Sequence, residues 1–168
     1  ASVAAMSTAQ VAALTTAQTA NLTATQVGTL SALQVSSMET ADLAALTTAQ
    51  VGALKTEQLR ALSDDQVAAL REFQVKALKT SQIQGFSTAQ ISSLSSGSIA
   101  ALSTAQVAKL SDGQIAALSD AQLGAMTKTQ VGVLTFAGGT GQLNALTSDQ
   151  FSRLSTAAIS GLSTAQLN

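Results

Sequence analysis

Leu46-Thr47-Thr48-Ala49-Gln50-Val51-Gly52-Ala53 is the stretch whose reading decides the fold. The same pattern begins at Met6 and returns every eight residues, through Leu14, Leu22, Leu30 and Met38, as far as Leu134. Gly138-Gly139-Thr140-Gly141 then adds four residues, and the pattern resumes at Leu146, Leu154 and Leu162. The first position of the octad is Leu, Met or Phe in all 20 copies. The fifth is Gln in 17 of 20, the exceptions being Asp42, Ser98 and Ala158. The sixth is apolar everywhere but Thr19, and the seventh and eighth are mostly Ala, Gly or Ser. A fixed period of this kind points to one solenoid over residues 1–168, with an insertion at 138–141.

A single continuous helix does not fit this period. Eight residues at about 100° each leave a drift of about 80° per repeat, so no apolar face would persist. A strand would send the Leu and Val positions to opposite faces, and Ala, Gln and Leu favour helix over strand. A helix that restarts every octad fits better. Ser7 and Gln10, Thr47 and Gln50, and Ser103 and Gln106 are each spaced as N-cap and N3 of a capping box. The residues flanking them, Met6 and Val11 or Leu46 and Val51, are spaced as a hydrophobic staple.

Each helix has room for about six residues, or roughly 9 Å. Helices that short are unstable alone and need neighbours. The expectation is an all-α superhelical spiral of very short helices, with two or three octads per turn. Its core takes the first and sixth positions, among them Leu14, Val51, Leu54, Leu62, Val67, Leu70, Leu102, Val107, Leu110 and Leu118. Small residues at the seventh and eighth positions let the coils approach. An acceptable N-cap hydroxyl is missing at Glu39, Lys55, Arg71 and Lys79, and losing a cap costs about 1 kcal/mol.

Composition removes most chemistry. The chain has no His, Cys, Trp, Tyr or Pro. That excludes a histidine base, a thiolate, a disulfide and the usual zinc ligands. Asp64 and Asp65 are adjacent and belong at the start of a helix, where the dipole favours them. No Gly-x-Ser-x-Gly elbow is present, and Gln142 after Gly141 is not the Lys of a phosphate loop. The expectation is a non-enzyme with no cofactor and no metal. A net charge of −1 with 10% charged residues argues against nucleic acid, and no apolar run approaches a membrane span.

Charge is unevenly spread. The stretch Lys55–Lys79 holds nine of the 17 charged residues, and its cations Lys55, Arg60, Arg71, Lys76 and Lys79 form a candidate docking patch for a protein or glycan. The alternative is an ordinary solvated face. A third reading is ice binding, since Thr8, Thr16, Thr40, Thr48, Thr56, Thr80, Thr88 and Thr104 recur at one octad position. Asp64, Glu72, Asp112, Asp120 and Lys128 interrupt that rank.

The Leu-Ser/Thr-x-x-Gln-Val octad resembles the tandem arrays of very large bacterial surface proteins of the haemagglutinin-like, haem utilisation/adhesion kind. The resemblance spans nearly the whole chain. It implies export and a structural role at the cell surface or outside the cell: a shaft, a spacer or a self-assembling filament element, with an adhesin-type binding module as the alternative. It implies no haem site here, because Met6, Met38 and Met126 take the core position of Leu. The start of DNA-reading activator-like effector repeats is similar too, but those units are about four times longer. Ala1–Ala5 and Ser163–Asn168 keep the octad instead of a polar cap. Uncapped solenoid ends expose core and favour self-association.

Overall fold

The computed structural model describes residues 3–136 and 141–167. These residues form a 3-10 turn at Val3–Ala5 followed by 19 α-helices of four to six residues, with no strand among them. Almost every octad restarts its helix as the sequence predicts. In the octad of Leu46, Thr47 Oγ1 accepts from the Gln50 amide at 3.3 Å, and the Thr47 amide donates to Gln50 Oε1 at 2.6 Å. The corner between helices is two extended residues, Leu46 (φ −60°, ψ 139°) and Thr47 (φ −73°, ψ 163°). Ordinary L-residues adopt these angles freely. The corners therefore need neither Pro nor a left-handed Gly, and no non-glycine residue among those described has positive φ.

Helices pack on the third neighbour along the chain. Ala24–Thr29 packs on Thr48–Ala53, which packs on Glu72–Ala77, then Ser96–Ala101, then Asp120–Ala125. Three octads, or 24 residues, therefore make one turn of the spiral. The cross-section has three sides, each a stack of helices. Val51, Val67, Val75 and Val107 are fully buried, and Leu54, Leu62, Leu70, Leu102, Leu110 and Leu118 nearly so. Leu14 belongs to the first turn and is only partly buried against the core.

Small residues let successive turns touch through backbone. A Cβ on Gly28 would lie 3.0 Å from the Ala53 carbonyl oxygen one turn on, and one on Gly132 would lie 2.8 Å from that of Gly161. The insertion does not interrupt the turn. The Thr135 amide donates to Gln142 Oε1 at 3.0 Å, and the Gln142 amide donates to Thr135 Oγ1 at 3.1 Å. The cap closes across seven residues where other octads use three. Gly141 completes it at φ 104°, where a Cβ would meet the Thr135 carbonyl oxygen at 2.8 Å. Apart from Gly141, the expected bulge at Gly138–Gly141 lies outside the described residues.

Candidate functional site

The fifth-position glutamine does more than cap its own helix. Gln58 is fully buried, and its Nε2 donates to the Val27 carbonyl at 3.2 Å and the Leu30 carbonyl at 2.7 Å. Gln74 does the same to Leu43 (2.8 Å) and Leu46 (2.7 Å), and Gln106 to Val75 (3.2 Å) and Leu78 (2.7 Å). These acceptors end a helix one turn away: the carbonyls of Leu30, Leu46 and Leu78 receive no backbone amide, and those of Val27, Leu43 and Val75 are shared with the amide of the following Leu. One amide thus satisfies a donor at the start of its own helix and acceptors at the end of another. The separation is 28 residues to the Leu carbonyl, rising to 32 beyond the insertion, as for Gln142 and Leu110.

Fourteen glutamines make such straps, from Gln34 to Gln166. Gln10, Gln18 and Gln26, in the first turn, keep the capping half: each Oε1 accepts from its own N-cap amide. Their Nε2 groups meet no carbonyl among the described residues. Sequence reasoning found the cap and missed the strap. The signal was available, because no octad carries Glu at this position. A capping box accepts Glu as readily as Gln; only a strap requires the donor.

The four octads without an N-cap hydroxyl compensate locally. The N3 amides of Asp42, Gln58, Gln74 and Gln82 donate instead to the carbonyls of Glu39, Lys55, Arg71 and Lys79, at 2.9–3.1 Å. Gln58, Gln74 and Gln82 still accept from their N-cap amides. Asp42 departs further. Its carboxyl is buried at a strap position and makes no hydrogen bond, and burial, with Glu39 as a lesser cause, holds its pKa above the ordinary value. The Ser98 side chain accepts from Ser95 Oγ at 2.9 Å while the Ser98 amide donates back to that oxygen at 3.0 Å, and Ala158 has no polar side chain at all. Thr19, the polar residue at a core position, has a buried Oγ1 without a partner.

The spiral redistributes the charges. Lys55, Arg60 and Lys79 lie on one side, with Lys55 and Lys79 one turn apart. Arg71 and Lys76 lie on another, so the candidate docking patch is divided between two sides. The first side, built from the octads headed by Leu54, Leu78, Leu102 and Met126, also carries Lys109 and Lys128 and a single acid, Glu57. The side built from the octads of Met38, Leu62 and Leu110 carries Glu39, Asp42, Asp64, Asp65 and Asp112 and no cation. The third side is balanced, and there Arg153 reaches Asp120 across a turn at 3.0 Å. Lys55 and Glu57 pair at 3.9 Å, and the Arg60 Nε donates to the Gly85 carbonyl at 3.0 Å.

Among the described residues no three acidic side chains gather where a metal could be held. No helix among them is long and apolar enough to cross a membrane. Shallow apolar surface occurs at Leu33, which is 73% exposed, and beside the insertion, where Phe136, Leu143, Leu146 and Phe151 line a groove.

The repeating unit is thus a Leu corner, a hydroxyl cap, a small helix and a Gln strap, spelled in full as Ala45-Leu46-Thr47-Thr48-Ala49-Gln50. The ALTTAQ repeat family model matches residues 35–72, 74–104, 92–120 and 99–136 in tandem. The chain belongs to the ALTTAQ repeat family. The matches overlap and together cover more than half of the chain. They extend over the part of the ALTTAQ array where straps succeed one another most regularly. No curated protein matches the chain.

Proposed function

We propose that this ALTTAQ array is a structural, non-enzymatic element, a shaft or spacer of a bacterial surface protein or extracellular filament. The observation that carries this reading is the strap itself. The same two hydrogen bonds recur at turn after turn, so each turn is fixed to the one before it by identical geometry. Length then scales with octad number, as in other solenoids. The face of Gln10, Gln18 and Gln26 carries the same amide donors, which meet no carbonyl among the described residues. A further turn of octads, from the same polypeptide or a second copy, completes it with the bonds seen inside the chain.

Small-angle scattering with sedimentation velocity over a concentration series tests the proposal. An elongated particle that also grows end to end, with growth persisting at high salt, is the expected result. A compact, monomeric particle at every concentration overturns it.

A further inference from the structure

The three-sided turn separates charge that the sequence presents as mixed. One side has five of the chain's eight basic residues and one of its nine acids, a net charge of +4. Another has five acids and no base, a net charge of −5. All of these groups except Asp42 are exposed. Few are neutralised within the molecule. On the basic side the only ion pair is the long one between Lys55 and Glu57, and on the acidic side no ion pair forms among the described residues. The chain as a whole is nearly neutral, so the separation of charge is a property of the spiral alone.

We infer that the basic side of one copy docks on the acidic side of a second copy, so that these solenoids associate laterally through Lys55, Lys79, Lys109 and Lys128 against Glu39, Asp64, Asp65 and Asp112. This deepens the structural reading above and rests on it. The partner is a second copy because the complementary surface is present on the same molecule, with four exposed acids on one stack of helices to set against four lysines on another. Both sides are regular stacks of short helices, and Ala, Gly, Ser and Thr fill many of the positions between the charges. The contact is heterologous: each docked molecule still offers one free basic and one free acidic side. Such contacts continue instead of closing a pair. Complementary exposed charge of this kind sets register and orientation and weakens with salt.

The experiment is sedimentation velocity of the whole chain at about 20 mM and about 500 mM salt, where screening lengths differ severalfold. One variant carries Lys55→Glu, Lys79→Glu, Lys109→Glu and Lys128→Glu; another carries Glu39→Lys, Asp64→Lys, Asp65→Lys and Asp112→Lys. Arg60 is left in place because it caps the Gly85 carbonyl. The wild type is expected to form side-by-side species at low salt, with association weakened at least about tenfold at high salt. Each variant alone is expected to remain unassociated laterally, and an equal mixture of the two to associate again. Lateral association of the wild type that does not change with salt, lateral self-association by either variant, or a mixture without lateral association overturns the inference. If circular dichroism shows a variant unfolded, the Lys→Gln and Asp→Asn versions replace it, and the wild-type salt dependence decides alone. End-to-end growth at high salt without lateral pairing leaves the shaft reading standing and removes only this one.

Discussion

Gln74→Glu changes one NH2 group to an oxygen and separates the two roles of the fifth-position glutamine. If Gln74 served only as an N-cap partner, Glu would be neutral or better, since a carboxylate at a helix N-terminus gains about 0.3–1 kcal/mol from the dipole. In the structure Gln74 is fully buried and its Nε2 donates to Leu43 and Leu46 at 2.8 and 2.7 Å. Glu loses both bonds, at about 1 kcal/mol each. It also sets a buried charge against two carbonyl oxygens, a further cost of several kcal/mol. The expected loss at neutral pH is about 4 kcal/mol, or roughly a 10 °C fall in the unfolding temperature for a chain of this size. The buried carboxyl has its pKa raised by folding, so the folded state holds its proton more tightly than the unfolded one. Stability is then lost as pH rises above about 4.3 and regained below it. Thermal melts by circular dichroism at about pH 7 and pH 4 measure both effects, with Gln10→Glu as the exposed control that has no strap to lose. Gln74→Glu as stable as wild type at neutral pH would refute the strap as a source of stability.

Asp42→Gln supplies the missing strap toward the carbonyls of Val11 and Leu14 and the missing partner for the Glu39 amide; urea melts are expected to show a gain of about 1–2 kcal/mol after side-chain ordering. Because burial raises the Asp42 pKa above its ordinary 3.8, the wild type loses stability at this site as pH rises from there, and Asp42→Gln is expected to remove that slope. Thr19→Val replaces an unpartnered buried hydroxyl with the residue type of other octads, and a gain of about 1–2 kcal/mol is expected in the same assay. Gly132→Ala is expected to cost about 1–3 kcal/mol because its Cβ meets the Gly161 carbonyl at 2.8 Å. Gly113→Ala, whose nearest neighbour lies at an ordinary 3.7 Å, is expected to gain up to about 1 kcal/mol from helix propensity. Equal melting temperatures for these two alanine variants would contradict the close approach of the turns.

The capping residues were legible because their bonds close within three residues. Ser7 with Gln10 and Thr47 with Gln50 need only local geometry, and the staple of Leu46 and Val51 repeats the same start signal. The strap was half legible, in the absence of Glu from the fifth position, but its acceptors lie 28 or more residues away. The side on which each charge of Lys55–Lys79 lies was not legible in sequence. Lys55 and Arg71 are near in the chain and belong to different sides, whereas Lys55, Lys79 and Lys128 are distant in the chain and share one.

The sequence by itself determined an all-α spiral with a new helix in almost every octad and which positions face inward. Those follow from hydrogen bonds and side-chain contacts within one octad. Only the tertiary structure decided that three octads make a turn. The angle between successive helices is set at extended corners that local rules permit over a broad range. It is fixed by packing and glutamine straps between residues a full turn apart. That single number, three, placed the strap acceptors and sorted the charges onto sides.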